Sequence, residues 1–106
     1  MKTKNLLFIL LTITSGSLFA SEFGDPKLGE IKAPSCIFCH NPNGPVAQDG
    51  YPNLNGQDPL YLFNAMQAYK SDQRTGPMAQ LMKAQLQHLS EDDLKDVAAF
   101  YASKAN

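Results

Sequence analysis

Cys36, Ile37, Phe38, Cys39 and His40 form the run C-x-x-C-H, a spacing whose residue types match one particular chemistry. Two thiols three positions apart on a helical turn face the same way, and each can form a thioether with one vinyl group of a haem. The histidine that follows lies against the ring, where an imidazole nitrogen can take an axial place on iron. The motif uses both cysteines of the chain and one of its two histidines. Three other readings of the pair stand beside this one. A thioredoxin-like redox pair needs a βαβ setting, and no alternating strand pattern is present. A zinc site needs four N or S ligands, and the only candidates are Cys36, Cys39, His40 and His88, two of them adjacent. A structural disulfide suits a secreted domain but makes no use of the histidine. The histidine and the chain that follows it favour haem.

The elements that must carry these residues read as helices. A first helical stretch runs from about Asp25 to His40, with Pro34 interrupting it so that the cysteine turn starts afresh. From Asn41 to Gln57 the chain is dense in glycine, proline and asparagine and reads as loop. Loops of that length in compact domains usually serve a site. Asp58 as N-cap and Pro59 at the first helical position open a second helix, in which Leu62, Ala65, Met66 and Tyr69 form one buried stripe. It ends near Ser71. A short segment from Pro77 to about Gln87 carries Met78 and Met82 four apart, on one face if helical. The last helix opens at Ser90, with Asp93 three residues on, close to a capping box. Its stripe is Leu94, Val97, Ala98 and Tyr101, and it runs to the C-terminus. The fold class is all-α: about three main helices plus short segments.

Residues 1–20 read as a secretory signal peptide: Lys2 and Lys4, then an apolar run from Leu6 to Leu11, then small residues to a cleavage point after Ala20. The apolar run is too short to span a bilayer. Cleavage leaves residues 21–106, a single domain of 86 residues near the lower size for a core built of side chains alone. A covalent haem would add a large apolar group for such a chain to fold around. Seven basic against ten acidic side chains remain, a net charge of −3. That balance, with no basic stripe, excludes nucleic acid as a partner class. Glu91, Asp92, Asp93 and Asp96 read as a solvated helix start, where carboxylates suit the dipole.

Taken together, Gly29, the C-x-x-C-H motif, the run Tyr51–Gln57, Tyr61–Leu62 with Ala68–Lys70, and the stretches Leu89–Leu94 and Ala98–Ser103 resemble, in order and spacing, the class I c-type cytochromes. Within them the likeness is to small bacterial monohaem carriers of the c4 and c553 type. It covers about Asp25 to Ser103. It implies the cytochrome c fold, wrapped round one covalent haem c. By that resemblance Gly29 is the crossing point of the first and last helices, against Phe100 or Tyr101. Pro52 supplies the carbonyl that accepts the second imidazole N–H of His40, and Leu54 packs on the haem face. Asn41 departs from the glycine usual after the motif. Asparagine tolerates the left-handed conformation better than most residues.

Iron then needs a sixth ligand, and a methionine sulfur opposite histidine suits an electron carrier. Met66 belongs to a core stripe. In the resembling group the ligand methionine stands seven residues before the leucine of the Leu-Ser helix start, which here is Met82 against Leu89; Met78 is the runner-up. His88, just before the last helix, is the bis-histidine alternative. The implied function is a periplasmic one-electron carrier rather than an enzyme. Its partners would be a quinol-oxidising complex and a terminal oxidase or reductase, with no stable membrane insertion after signal cleavage. Two alternatives remain: a haem subunit permanently docked on a larger redox enzyme, and a five-coordinate haem that binds peroxide or a gas.

Overall fold

Proline opens four of the five helices among the described residues: α1 (Pro26–Lys32), α2 (Pro34–Cys39), α3 (Pro59–Lys70) and α4 (Pro77–Leu86). Its fixed φ suits the first helical position, and the N–H it lacks would have no intrahelical partner there. The fifth, α5, spans Glu91–Ala102. This computed structural model describes residues 23–43 and 50–105. The signal peptide expected over residues 1–20 and its exit after Ala20 lie outside the described residues, as does the middle of the loop at 44–49.

The caps are local and strong. The Asp25 carboxylate accepts from the Lys27 and Leu28 amides, and Asp58 accepts from the Tyr61 amide at 2.9 Å. At α5 the box is complete: the Ser90 hydroxyl accepts from the Asp93 amide at 3.1 Å, and the Asp93 carboxylate accepts from the Ser90 amide at 2.9 Å. Such a reciprocal pair satisfies two amides that no helix could. The expected break at Pro34 is present, with Ala33 fully buried between α1 and α2. α5 stops at Ala102 instead of continuing to the C-terminus; the Ser103 hydroxyl donates back to the Phe100 carbonyl at 2.7 Å, closing the last turn.

α1 lies across α5, and Gly29 is where they touch. A Cβ there would fall on the Asp96 carbonyl and lie 2.7 Å from the Phe100 Cβ. The crossing partner is therefore Phe100, one of the two residues expected. Asp96, only 8 % exposed, fastens the same crossing. Its carboxylate accepts from the Asp25 amide at 2.8 Å and the Lys32 ammonium at 2.6 Å, and Lys32 also pairs with Asp93 at 2.7 Å. Burial alone would push the Asp96 carboxyl up, but the amide and the ammonium outweigh it and hold it below its ordinary value. Here the expectation of a solvated acidic helix start is corrected. Glu91 and Asp92 are exposed, whereas Asp93 and Asp96 are turned inward by the cation on α1.

Two buried clusters complete the fold. Ala33, Leu62, Val97, Ala98, Phe100 and Tyr101 pack where α3 and α5 meet the α1–α2 junction. Leu86, Leu89 and Leu94 pack where α4 turns into α5, and Phe63 and Met66 of α3 touch both clusters. The α3 stripe is less buried than its periodicity implies: Leu62 is 6 % exposed, but Ala65, Met66 and Tyr69 are only half-buried. They border a cleft rather than a filled core.

Candidate cofactor cleft

The cleft has a volume of about 460 Å³, within the range of about 300–1,000 Å³ that small-molecule sites occupy. α2 forms one wall. Cys36 and Cys39, three apart on that short helix, both line the cleft, and their sulfurs are not bonded to each other. Cys36 is half-buried against the core, and that burial pushes its thiol up. Phe38, between them, is 89 % exposed.

His40 caps α2, its amide donating to the Cys36 carbonyl at 2.7 Å. Two further contacts hold it. Its Nδ1 lies 2.8 Å from the Pro52 carbonyl oxygen. A carbonyl can only accept, so Nδ1 donates here, which leaves Nε2 as the ring nitrogen available to a metal. The Tyr101 hydroxyl, from the far end of the chain, donates to the His40 carbonyl at 2.7 Å. Burial pushes the Tyr101 phenol well up, so it stays protonated and donating.

The loop that brings Pro52 and Leu54 to the cleft is pinned from several sides. Asn55, 8 % exposed, donates to the carbonyls of Pro42 at 2.8 Å and Ala105 at 3.3 Å. The Gly56 amide, at φ 70°, donates to the Tyr101 carbonyl at 3.0 Å, and Gln57 donates to the Asn53 carbonyl at 2.6 Å. Leu54 lines the cleft and packs against the core cluster.

α3, α4 and α5 form the rest. Met78 and Met82, one turn apart on α4, both line the cleft, as does Met66. They differ in setting: Met82 is half-buried against Leu86, Leu89 and Leu94, while Met78 is 43 % exposed. His88 is exposed and does not line the cleft. The structure thus brings Cys36, Cys39, His40, Pro52, Leu54, Met78 and Met82 to one cavity. Residues to which sequence reasoning gave no part in the site stand with them: Tyr101, read only as core, and Asn55 as fasteners, and Arg74, whose guanidinium donates to the hydroxyls of Tyr69 at 3.1 Å and Tyr61 at 3.4 Å. The eight-residue spacing of Tyr61 and Tyr69 on one helix was the available signal for that last cluster.

A mostly apolar slot with paired thiols on one wall, an imidazole beside them and thioethers on another wall fits a haem. It does not fit a zinc ion; among the described residues no group of three or more His, Cys, Asp or Glu could hold a metal. The family profile of cytochrome c matches residues 30–104. The chain belongs to the cytochrome c family. It is 42 % identical over 81 residues to cytochrome c-554(548) of Halomonas halodenitrificans, covering 76 % of this chain and 98 % of that protein. It is 35 % identical over 107 residues to cytochrome c4 of Azotobacter vinelandii, covering 95 % of this chain and 50 % of that one. The thiosulfate dehydrogenase electron acceptor of Stutzerimonas stutzeri is 30 % identical over 74 residues, 70 % of this chain and 34 % of its own length. The chain thus spans about half the length of its cytochrome c4 relatives. Family membership brings a covalent haem c and a role in electron transfer. When bound, the haem supplies an iron that takes up and releases one electron.

Proposed function

We propose that this cytochrome is a periplasmic carrier of single electrons, exported by a signal peptide over residues 1–20. Cys36 and Cys39 form the thioethers, and His40 and Met82 are the axial ligands. The Pro52 carbonyl orients the His40 ring and makes it a stronger donor, while Leu54 packs on the haem face. The observation that carries the reading is the convergence of the thiols, an imidazole held through Nδ1, and Met82 on one apolar cleft. Met82 is preferred to Met78 because its half-buried setting against three leucines can hold a sulfur in place and keep water out. Thioether sulfur opposite histidine favours ferrous iron and raises the potential, which suits a carrier. Among the described residues no helix is long and apolar enough to cross a membrane.

Electron donors and acceptors are redox proteins met in brief encounters through small interfaces, for which a low net charge is suited. A quinol-oxidising complex and a terminal oxidase or reductase are the expected classes. The relative named as an electron acceptor of thiosulfate dehydrogenase adds a dehydrogenase of that kind to the donors worth testing.

The test is the absorption spectrum of the oxidised protein purified from a periplasmic fraction. A weak far-red sulfur-to-iron band is expected, lost in Met82→Ala and kept in Met78→Ala. Loss in Met78→Ala alone would reverse the ligand assignment. Haem-loaded protein with no such band would remove methionine ligation altogether.

A further inference from the structure

His40 stands on a closed circuit of hydrogen bonds that joins three separate parts of the chain. Its carbonyl accepts from the Tyr101 hydroxyl, and the Tyr101 carbonyl accepts from the Gly56 amide. Asn55, next to Gly56, leads back to Pro42, two residues past His40. The Asn55 side chain does more than close that circuit. Its amide nitrogen donates to the Pro42 carbonyl at 2.8 Å and to the Ala105 carbonyl at 3.3 Å, across 13 and 50 positions. Two carbonyls can only accept, so the nitrogen end of the amide must face them, and both of its N–H groups are used. Asn55 is 8 % exposed, and an amide buried without such partners would be costly. It is not among the residues that line the cleft, so it acts there only through its neighbours.

What those neighbours hold is the His40 ring. The bond from Nδ1 to the Pro52 carbonyl, 2.8 Å long, requires two stretches of loop to keep their spacing, one leaving His40 and one returning through Pro52. Asn55, three residues past Pro52, reaches across to the first at Pro42 and ties both to Ala105 beyond α5. We propose that Asn55 is a positioning residue for the axial histidine: its side-chain amide staples the two ends of the loop, keeps the Nδ1–Pro52 bond short, and thereby sets how strongly the imidazole donates to iron. The proposal rests on the reading of this cleft as the haem site and of His40 as a ligand. A hydrogen bond given by the other ring nitrogen makes a ligating imidazole more basic, which favours ferric over ferrous iron. Loosening the loop weakens that bond and shifts the balance toward ferrous. The same bond shields the Nδ1 proton from exchange with water.

The experiment compares mature haem-loaded wild type with Asn55→Ala, Asn55→Leu and Ser90→Ala. Both Asn55 variants lose the two donors without adding charge. One leaves a gap and the other fills it, so an effect common to both belongs to the donors. Ser90→Ala removes the α5 cap and lowers stability by a route that does not involve the loop. The readouts are the midpoint potential and the exchange of the His40 Nδ1 proton with deuterium, followed by NMR of the ferrous protein. In both Asn55 variants exchange is expected to quicken about tenfold, because local opening has two fewer hydrogen bonds to break. The ferrous-to-ferric ratio at fixed potential should rise about threefold, a potential higher by about 28 mV for one electron. Ser90→Ala should melt earlier with both readouts unchanged. Asn55 variants whose exchange or potential matches wild type overturn the proposal, and so does a Ser90→Ala variant that shifts both readouts equally. If the Asn55 variants do not hold haem, Asn55→Ser, whose hydroxyl keeps one donor, decides: a shift in both readouts supports the staple, and anything less overturns it. Wild type that binds no haem covalently would instead remove the cleft reading, and the proposal with it.

Discussion

Replacing Gly29 by alanine tests the packing that holds the haem motif in place. The new Cβ would sit 2.7 Å from the Phe100 Cβ and against the Asp96 carbonyl, where carbon atoms prefer about 3.5–4.0 Å. α1 must therefore move off α5 by roughly 1 Å, since the atoms in the way are α5 backbone and the root of a buried ring rather than a flexible tip. A gap of that size forfeits about a quarter to a half of each contact along the seam, and overpacking of this kind costs about 1–3 kcal/mol. Neighbours that cannot yield put Gly29→Ala at or above the top of that range, while alanine's better helix propensity returns about 1 kcal/mol. The net loss is about 2 kcal/mol, or a melting temperature lower by about 8–16 °C for a domain of this size. The assay is thermal unfolding of the haem-loaded protein, followed by helical circular dichroism. Glu30→Ala is the control: Glu30 is exposed on the same helix, and its loss should change stability by less than about 0.5 kcal/mol. If Gly29→Ala melts within about 2 °C of wild type, the two helices do not approach as closely as described and the reasoning fails.

Two further predictions follow from the same seam and its neighbours. Tyr101→Phe removes the 2.7 Å bond to the His40 carbonyl; it should cost about 1–2 kcal/mol while leaving the far-red band intact, and melting curves beside absorption spectra will show whether both hold. The Lys32 ammonium and the Ser90 amide lower the Asp93 carboxyl from its ordinary 3.8 to about 2. A depressed carboxyl stabilises the fold above its unfolded value and loses that contribution as pH falls through the folded one. Melting temperature should therefore fall with acid between 3.8 and about 2, less steeply in Asp93→Asn than in wild type; parallel curves would show that the carboxylate is not linked to folding.

The legible part of this protein is the part whose partners lie within a few residues. Asp58 with Pro59, and Ser90 with Asp93, announce helix starts because a cap closes on amides two or three positions away. Pro34 marks a break for an equally local reason, and the C-x-x-C-H run carries its chemistry within five consecutive residues. Even the α3 stripe was readable as a face, although not as a face half left for a cofactor.

Only tertiary structure could place the rest. Tyr101 meets the His40 carbonyl across 61 positions, and Asp96 meets the Asp25 amide across 71. Nothing near either residue distinguishes it from an ordinary stripe or surface position. Arg74 becomes the only fixed charge among the described residues of the cleft because the turn after α3 brings it back over Tyr69 and Tyr61. Periodicity says which side of a helix avoids water, and capping says where a helix begins. Which helix covers that side depends on how closely two backbones can approach. Here a missing side chain at Gly29 and a buried carboxylate at Asp96 make that choice together.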